Sequence, residues 1–99
     1  MKIDKIADVI AADDWSYETS SGQTVFARIE IGRPQPIPDD SNADWFCPIS
    51  IEGFTSQITP AYGVGPVDAL NNALTLVRAF ADKIGEYSPR ASDNRKAQS

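Results

Sequence analysis

Cys47 is the residue with the clearest capacity for chemistry, because a thiolate can act as a nucleophile, a redox sensor or a metal ligand. It is the only cysteine of the chain and stands in "DWFCPISIEGF" (44–54), between two aromatic residues and a proline. A reactive thiol needs an adjacent base, yet the sequence contains no histidine. This excludes Cys-His and Ser-His-Asp catalysis and the usual zinc sites. We therefore expect Cys47 to fill space in the core, as a small apolar group.

The segment "DDSNADW" (39–45) carries a spacing that could bind calcium. It places Asp40, Asn42 and Asp44 at every second residue, as at the start of a calcium-binding loop. In that motif the sixth position is glycine and the twelfth is glutamate, whereas this chain has a tryptophan and an isoleucine there. We predict no metal site and expect a solvated acidic loop. Its carboxylates Asp39, Asp40 and Asp44 are candidates for contact with a protein partner.

The stretch "YGVGPVD" (62–68) places Gly63 and Gly65 just before the start of a predicted helix. Backbone N–H groups at such a position can hold an anion. The lysine and hydroxyl residue of a phosphate-binding loop are missing, and so is the third glycine of a dinucleotide site. A tight turn that leads into the helix is the favoured interpretation. A weak anion site at the two glycines is the alternative.

The composition limits the class of partner. The chain has 14 acids and 9 bases, a net charge of −5, and 13 of the acids but only 6 of the bases precede Ser88. Nucleic-acid backbones and anionic membranes attract cations, so we expect neither as a partner. A positively charged protein is the partner that such a charge would attract.

The length and the hydropathy pattern predict one small domain. Ninety-nine residues suffice for a single core, and we expect the domain to span residues 1–87, followed by a disordered polar tail at 88–99. No run of eighteen apolar residues occurs, and charged residues interrupt the N-terminus. These features predict neither a membrane span nor a signal peptide, and hence a cytoplasmic protein.

The first half of the chain predicts a β-hairpin. "WSYET", "SSGQ" and "TVFARIEIG" read in turn as a strand, a turn and a strand with apolar residues at every second position. Residues 2–13 are ambiguous between an amphipathic helix and the start of a longer strand. We favour a strand from about Val9, with a bulge near Asp13 and Asp14. The prolines of "PQPIP" (34–38) predict a stiff extended loop, with docking on an aromatic groove as the alternative.

The second half predicts a further strand, then a short strand within residues 55–62 that pairs back with it, and one helix. "WFCPISIE" alternates, and its inward face carries Trp45, Cys47, Ile49 and Ile51. From Pro66 the apolar residues recur at steps of three and four, so we predict a helix of about five turns that ends at Gly85. The predicted apolar stripe consists of Val67, Leu70, Ala73, Leu74, Val77, Ala81 and Ile84.

These elements predict an α+β fold of two layers, with an antiparallel meander of about four strands and one C-terminal helix packed across one face. The outer face of the sheet then carries Phe26 and Phe46 among polar side chains. With one helix available, that face stays open unless the N-terminal segment, another subunit or a partner covers it. We therefore add Phe26 and Phe46 to the candidate interaction surface.

Three segments resemble a family of small, mostly bacterial domains of unknown function. They are "IGRP" (31–34), "DWFCPISIEG" (44–53) and "YGVGPVDALNNAL" (62–74), which carry the motifs IG-x-P, W-x-C-P and G-V-(x)-D-A-L-x-x-A-L. The resemblance covers about residues 9–85. The chain differs from the pattern by an extra "GP" before "VDAL" and by a longer proline loop. The resemblance implies a small domain of one sheet and one helix, and supplies no activity, cofactor or catalytic residue.

The function predicted from the sequence is that of a non-enzymatic protein-interaction module without a cofactor. One version presents an acidic surface to a basic partner, as an immunity-like protein does when it neutralises a basic toxin. Another version forms a homodimer through an exposed sheet face or edge. The alternative from a different class is a small-molecule or anion-binding protein that uses the helix N-terminus at residues 63–68.

Overall fold

The described part of the chain forms one antiparallel sheet and one helix. The computed structural model describes residues 2–85, 88 and 89; the predicted tail at 88–99 lies outside the described residues beyond Pro89. In chain order the elements are β1 (Val9–Glu18), β2 (Thr24–Gly32), β3 (Gln35–Pro36), β4 (Trp45–Ile51), β5 (Thr59–Gly63), α1 (Pro66–Ile84) and β6 (Ser88–Pro89). The α+β prediction is confirmed, with four longer strands and two short ones.

The β1–β2 hairpin forms as the sequence predicts. Gly22 adopts a positive φ of 86° in the turn, and its N–H donates to the carbonyl of Thr19 over 2.9 Å. The register runs without interruption from the turn back to Ala11, and the irregularity lies between Val9 and Ala11. The strand start at Val9 is confirmed. The predicted bulge near Asp13 and Asp14 is wrong, because both residues keep regular partners on β2.

Strand β4 pairs with other strands on both of its sides. It pairs with β2 through Ile49–Ile51 and β3 through Trp45 and Phe46 on one side, and with β5 through Trp45–Ile49 on the other. Pro48 of β4 has no N–H to donate to a ladder hydrogen bond. It lies opposite Pro60 of β5, so two residues that lack an N–H face each other.

The inward row of β4 forms the centre of the core, as predicted. Cys47, Ile49 and Ile51 are fully buried, together with apolar residues of β2 that face the same side. Trp45 packs against the margin of this cluster. The period of two in the sequence therefore predicted the correct face of the strand.

Helix α1 packs on the sheet with a face that overlaps the predicted stripe but is rotated from it. The stripe residues that are buried or pack against the core are Leu70, Ala73, Val77, Ala81 and Ile84. The buried residues of the helix are Ala69, Ala73 and Phe80, whereas Leu74 is 48% exposed and Val67 80% exposed. At 100° per residue, the buried residues centre roughly 80° away from the middle of the predicted stripe. The prediction that Val67 and Leu74 pack inward is therefore wrong.

The helix covers only part of the inner face of the sheet. It packs mainly on β4 and β5, and the amide Nδ2 of Asn72 donates to the carbonyl of Tyr62 on β5 over 2.6 Å. Towards the other edge, the ring of Phe80 stacks on Trp15 with 5.8 Å between centroids. A helix about 10 Å wide cannot cover five strands that are about 4.8 Å apart. The beginning of β1 therefore stays exposed: Val9, Ile10, Ala11 and Ala12 are all solvent-accessible.

Candidate interaction surface

The surroundings of Cys47 indicate a structural role and not a reactive one. The thiol is fully buried and its Sγ donates to the carbonyl oxygen of Gly32 over 3.2 Å. Burial raises the pKa of the Cys47 thiol, which favours the unreactive neutral form. Within the part of the chain that the structure describes, no group of histidine, cysteine, aspartate and glutamate residues could hold a metal ion.

We expect the native Cys47 thiol to react with an aromatic disulfide reagent at least about 100-fold more slowly than in denaturant, because a buried sulfur reacts only when the structure opens. Above about pH 9, the ordinary pKa of this thiol, the unfolded chain loses the thiol proton while the native chain retains it. The free energy of unfolding should therefore fall as pH rises, by up to about 1.4 kcal/mol per pH unit.

The control for this pH dependence is Cys47→Ala. The substitution lowers stability at every pH because it leaves a small cavity, so the slopes of the two chains, not the levels, are compared by urea unfolding between pH 7 and 10.5. The alanine chain should lack the part of the slope that the thiol contributes. Equal slopes, or equal reaction rates in native and denatured protein, would show that Cys47 is accessible.

The acidic loop contains two kinds of carboxylate. Asp40 is half-buried, and its Oδ2 accepts the backbone N–H of Asp44 over 2.8 Å, so this side chain closes the loop. The carbonyl of Asp44 accepts the N–H of Ile37 over 2.9 Å. Asp39 is exposed and adopts a positive φ of 58°. Of the three predicted residues, Asp39 is thus the most available to a partner, whereas Asp40 has a structural role.

Phe26 and Phe46 do not form one patch with each other. Phe46 is only 8% exposed, whereas Phe26 is 54% exposed, so the prediction that Phe46 is an available surface residue is wrong. Phe46 lies opposite Gln35. Gln35 follows Phe26 by nine residues, and nine residues of extended chain span up to about 30 Å.

The N-terminal segment covers part of the outer face. The methyl Cγ2 of Ile6 and the ring of Pro48 both lie against Gly32, where a Cβ would be 2.6 Å from each. Ile6 is half-buried there. The outer face is therefore closed near Gly32, which weakens it as a docking surface.

The start of helix α1 already has a carboxylate in place. The Oδ2 of Asp68 accepts the N–H of Val64 over 3.0 Å, and a bound anion would meet this negative charge. Gly63 is required by packing, since a Cβ there would be 2.3 Å from the backbone N of Ala69. Gly65 is extended, with φ of −161°. This geometry supports the tight turn better than the anion site.

A further surface of the described residues is a groove that the sequence did not predict. It lies on the inner face of the sheet beside α1 and has a volume of about 180 Å³. Its lining is almost entirely apolar and consists of Ala11, Ala12, Asp13, Trp15, Ile29, Ile31 and Val77. The one carboxylate, that of Asp13, accepts the indole N–H of Trp15 over 2.8 Å.

The edge of β1 before Trp15 borders this groove. On that side β6 pairs with Trp15 and Ser16, and among residues 2–85, 88 and 89 no strand pairs with the stretch before Trp15. At the opposite edge of the sheet, β5 contains Pro60, a residue that discourages the addition of a strand. The edge of β1 contains no proline or lysine.

The charge around this edge is negative. Strand β1 carries three carboxylates and no basic residue. On the outer face, Arg28 contacts Asp14 over 3.0 Å and Glu30 over 3.4 Å, so one cation serves two acids. Nearby, Arg33 and Asp8 form an ion pair over 2.6 Å. Two signals in the sequence could have indicated this surface: the apolar run "VIAA" before two aspartates, and a single helix for a sheet of several strands.

In the described ranges, no helix has both the length and the apolar character needed to cross a bilayer. Residues 16–87 match a family model described as a domain of unknown function, DUF6968. The search of curated proteins and the search of solved structures found no match.

Proposed function

The chain belongs to this family of domains of unknown function, and we propose a role from the properties of its surface. The protein is a non-enzymatic interaction module that binds a positively charged protein at the β1 edge and the adjoining groove. The observation that carries the proposal is the open apolar groove beside an exposed, acidic sheet edge. Apolar surface that stays open next to unpaired backbone groups is typical of a binding site.

The chemistry of the groove supports binding rather than catalysis. Its single carboxylate, on Asp13, is hydrogen-bonded to the indole of Trp15, and the other lining side chains are apolar. General acid–base catalysis requires a positioned proton donor or acceptor whose pKa suits the reaction. A hydrophobic groove with a polar rim, by contrast, is how protein partners are held.

The charge of the chain supports a basic partner. A net charge of −5 accelerates the encounter with a cationic protein and repels a second acidic one. Neutralisation of a basic toxin is one activity of this kind, and a homodimer is disfavoured on the same ground. The geometry at Asp68 does not favour the anion-binding alternative.

The test is capture of proteins from an extract of the native cells on the immobilised full-length chain. We expect a basic protein to bind at about 0.05 M salt and to elute by about 0.3 M, since the attraction of exposed charges is screened over this range. Removal of two β1 charges, by Asp14→Asn with Glu18→Gln, should reduce the amount that is captured.

The matched control removes two charges away from β1, by Asp39→Asn with Asp82→Asn. Asp39 lies in the acidic loop, the alternative contact surface for a partner, and Asp82 lies on the exposed side of α1. This chain should capture the same protein as the unaltered one. Failure to capture any basic protein would overturn the proposed function. An equal loss of captured protein in both variants would show that the binding surface does not lie at β1.

A further inference from the structure

We propose that the partner binds as a short extended strand that pairs with Ala11–Asp14 of β1 and directs apolar side chains into the groove. This inference rests on the proposed function and defines the kind of segment that the module recognises. An exposed strand edge presents backbone N–H and C=O groups that can form main-chain hydrogen bonds with such a segment.

The pairing of β1 with β2 fixes what each side of an added strand would meet. Ala11 and Asp13 lie opposite Ile31 and Ile29, two buried residues, so they point to the inner face and the groove. Asp14 lies opposite Arg28 and points to the outer face. A strand about 4.8 Å beyond β1 would place alternate side chains on these two faces.

The two faces call for different side chains. On the inner face, the methyl group of Ala11 leaves room beside Trp15 and Val77, which both line the groove, so a β-branched apolar side chain fits. On the outer face, Asp14 and Glu30 share the single cation of Arg28, so a basic side chain is favoured. The recognised pattern alternates apolar and basic residues.

Two features limit the length of the segment. The irregularity between Val9 and Ala11 ends the regular edge at one end, because a bulge disturbs the ladder. At the other end β6 already pairs with Trp15 and Ser16. Between these limits, no described strand pairs with this edge of Ala11–Asp14, which has a length of about 13 Å, so a segment of five to seven residues is sufficient.

A second copy of the chain fits this edge less well. Two β1 strands that met over Ala11–Asp14 would bring two aspartates from each copy into one short ladder, without a base on either strand. Like charges across a strand pair are destabilising. The apolar and basic segment of another protein has no such conflict.

The probe is a pair of labelled heptapeptides, each made of four lysines and three valines, measured by fluorescence anisotropy against the full-length chain. In the alternating peptide the valines share one face when the chain is extended, whereas in the block peptide the three valines are consecutive. We expect the alternating peptide to bind at least about 10-fold more tightly. Charge and composition are identical, so pure electrostatic capture predicts equal affinities.

Ala11→Lys tests the position, with Ala79→Lys as its matched control. Both alanines are exposed, so neither lysine has to enter the core, and both variants change the net charge equally. Ala11→Lys should weaken the alternating peptide at least about 10-fold, because the longer side chain enters the groove and repels lysines. Ala79→Lys should change the affinity less than about two-fold, since a distant surface charge acts only through screened attraction.

Amide hydrogen exchange gives an independent readout. Binding of the alternating peptide should slow exchange within Ala11–Asp14, where N–H groups at the edge gain partners and the N–H of Asp14 exchanges its 3.2 Å hydrogen bond to Oδ1 of Asp13 for one to the peptide. Exchange in Thr59–Gly63 at the other edge should be unchanged. Equal affinity of the two peptides, equal loss in the two lysine variants, or binding without protection at Ala11–Asp14 would each overturn the strand model.

The remaining outcomes separate the strand model from the proposed function. If a basic protein is captured from the extract equally well by Ala11→Lys and by the unaltered chain, the interaction module stands and the strand model fails. If the alternating peptide binds as expected but no basic protein is captured, the mode of binding stands and the proposed function fails. If the unaltered chain sediments as a dimer and only the Ala11→Lys variant is monomeric, the β1 edge binds a second copy of the chain instead of a different protein. That result would overturn the inference.

Discussion

The Gly63→Ala variant is expected to lose about 3 kcal/mol or more of its free energy of unfolding. A Cβ at this position would be 2.3 Å from the backbone N of Ala69 and 2.7 Å from the carbonyl carbon of Asp68. Backbone atoms at the start of a helix cannot rotate away as a flexible side chain can. The end of β5 and the start of α1 would therefore have to separate, and overpacking of this kind is among the costlier substitutions.

The measurement is urea unfolding, followed by the fluorescence of Trp15 and Trp45, with Gly65→Ala as the control. The control position is extended, with φ of −161°, and a Cβ there would meet no atom within 4 Å. Gly65→Ala should therefore change stability by less than about 1 kcal/mol, since a small loss at the helix cap is offset by a less flexible unfolded chain. Similar losses in both variants would show that β5 and the helix are not in close contact at Gly63.

The faces of the strands could be predicted from the sequence because the period of two leaves little choice. In β4 the residues Cys47, Ile49 and Ile51 alternate with Phe46, Pro48 and Ser50, and a shift of one residue would expose the whole inward row. The hairpin was equally well marked, by Gly22 between two alternating segments. Local signals of this kind do not depend on the rest of the fold.

The surface could not be predicted, because it depends on contacts between residues that are distant in sequence. Phe26 and Phe46 alternate outward in their own strands, yet strand pairing places them far apart and leaves Phe46 buried. The groove results from a mismatch between the width of one helix and the width of the sheet. The position of the helix over β4 and β5, which no local pattern records, decides which part of the sheet remains open.

The orientation of α1 could be predicted only in part, for a related reason: five residues of the predicted stripe contact the core, but Val67 and Leu74 do not. The larger apolar residues of the helix extend over about half of its circumference, from Leu76 past Val77 to Val67, so several faces satisfy the same periodicity. The stripe inferred from the sequence covers the Val67 side of this arc and omits Ala69 and Phe80 on the other side. The aromatic pocket formed by Trp15, Tyr17 and Phe54 receives Phe80 and thereby selects that other side.

Phe80→Ala is therefore expected to cost about 3–5 kcal/mol, the usual range for the loss of a buried phenylalanine ring. The ring is almost fully buried, with centroid distances of 5.8 Å to Trp15 and 5.4 Å to Phe54. Its removal leaves a cavity between α1 and β1 that the flat neighbouring rings cannot fill. Urea unfolding should show a lower midpoint with an unchanged dependence on denaturant, which indicates a change in stability rather than in the unfolded state.

The comparison is with Leu74→Ala, the substitution that the sequence alone would have ranked as the more damaging. Leu74 is 48% exposed, so its truncation removes little buried surface and should cost less than about 1 kcal/mol. The two variants have alanine in the same helix, so the difference in helix propensity between them is small. A larger loss for Leu74→Ala than for Phe80→Ala would mean that α1 packs through the stripe inferred from its sequence. That result would also close the groove beside β1, because the rotated helix would turn Leu74 and Val67 onto the sheet.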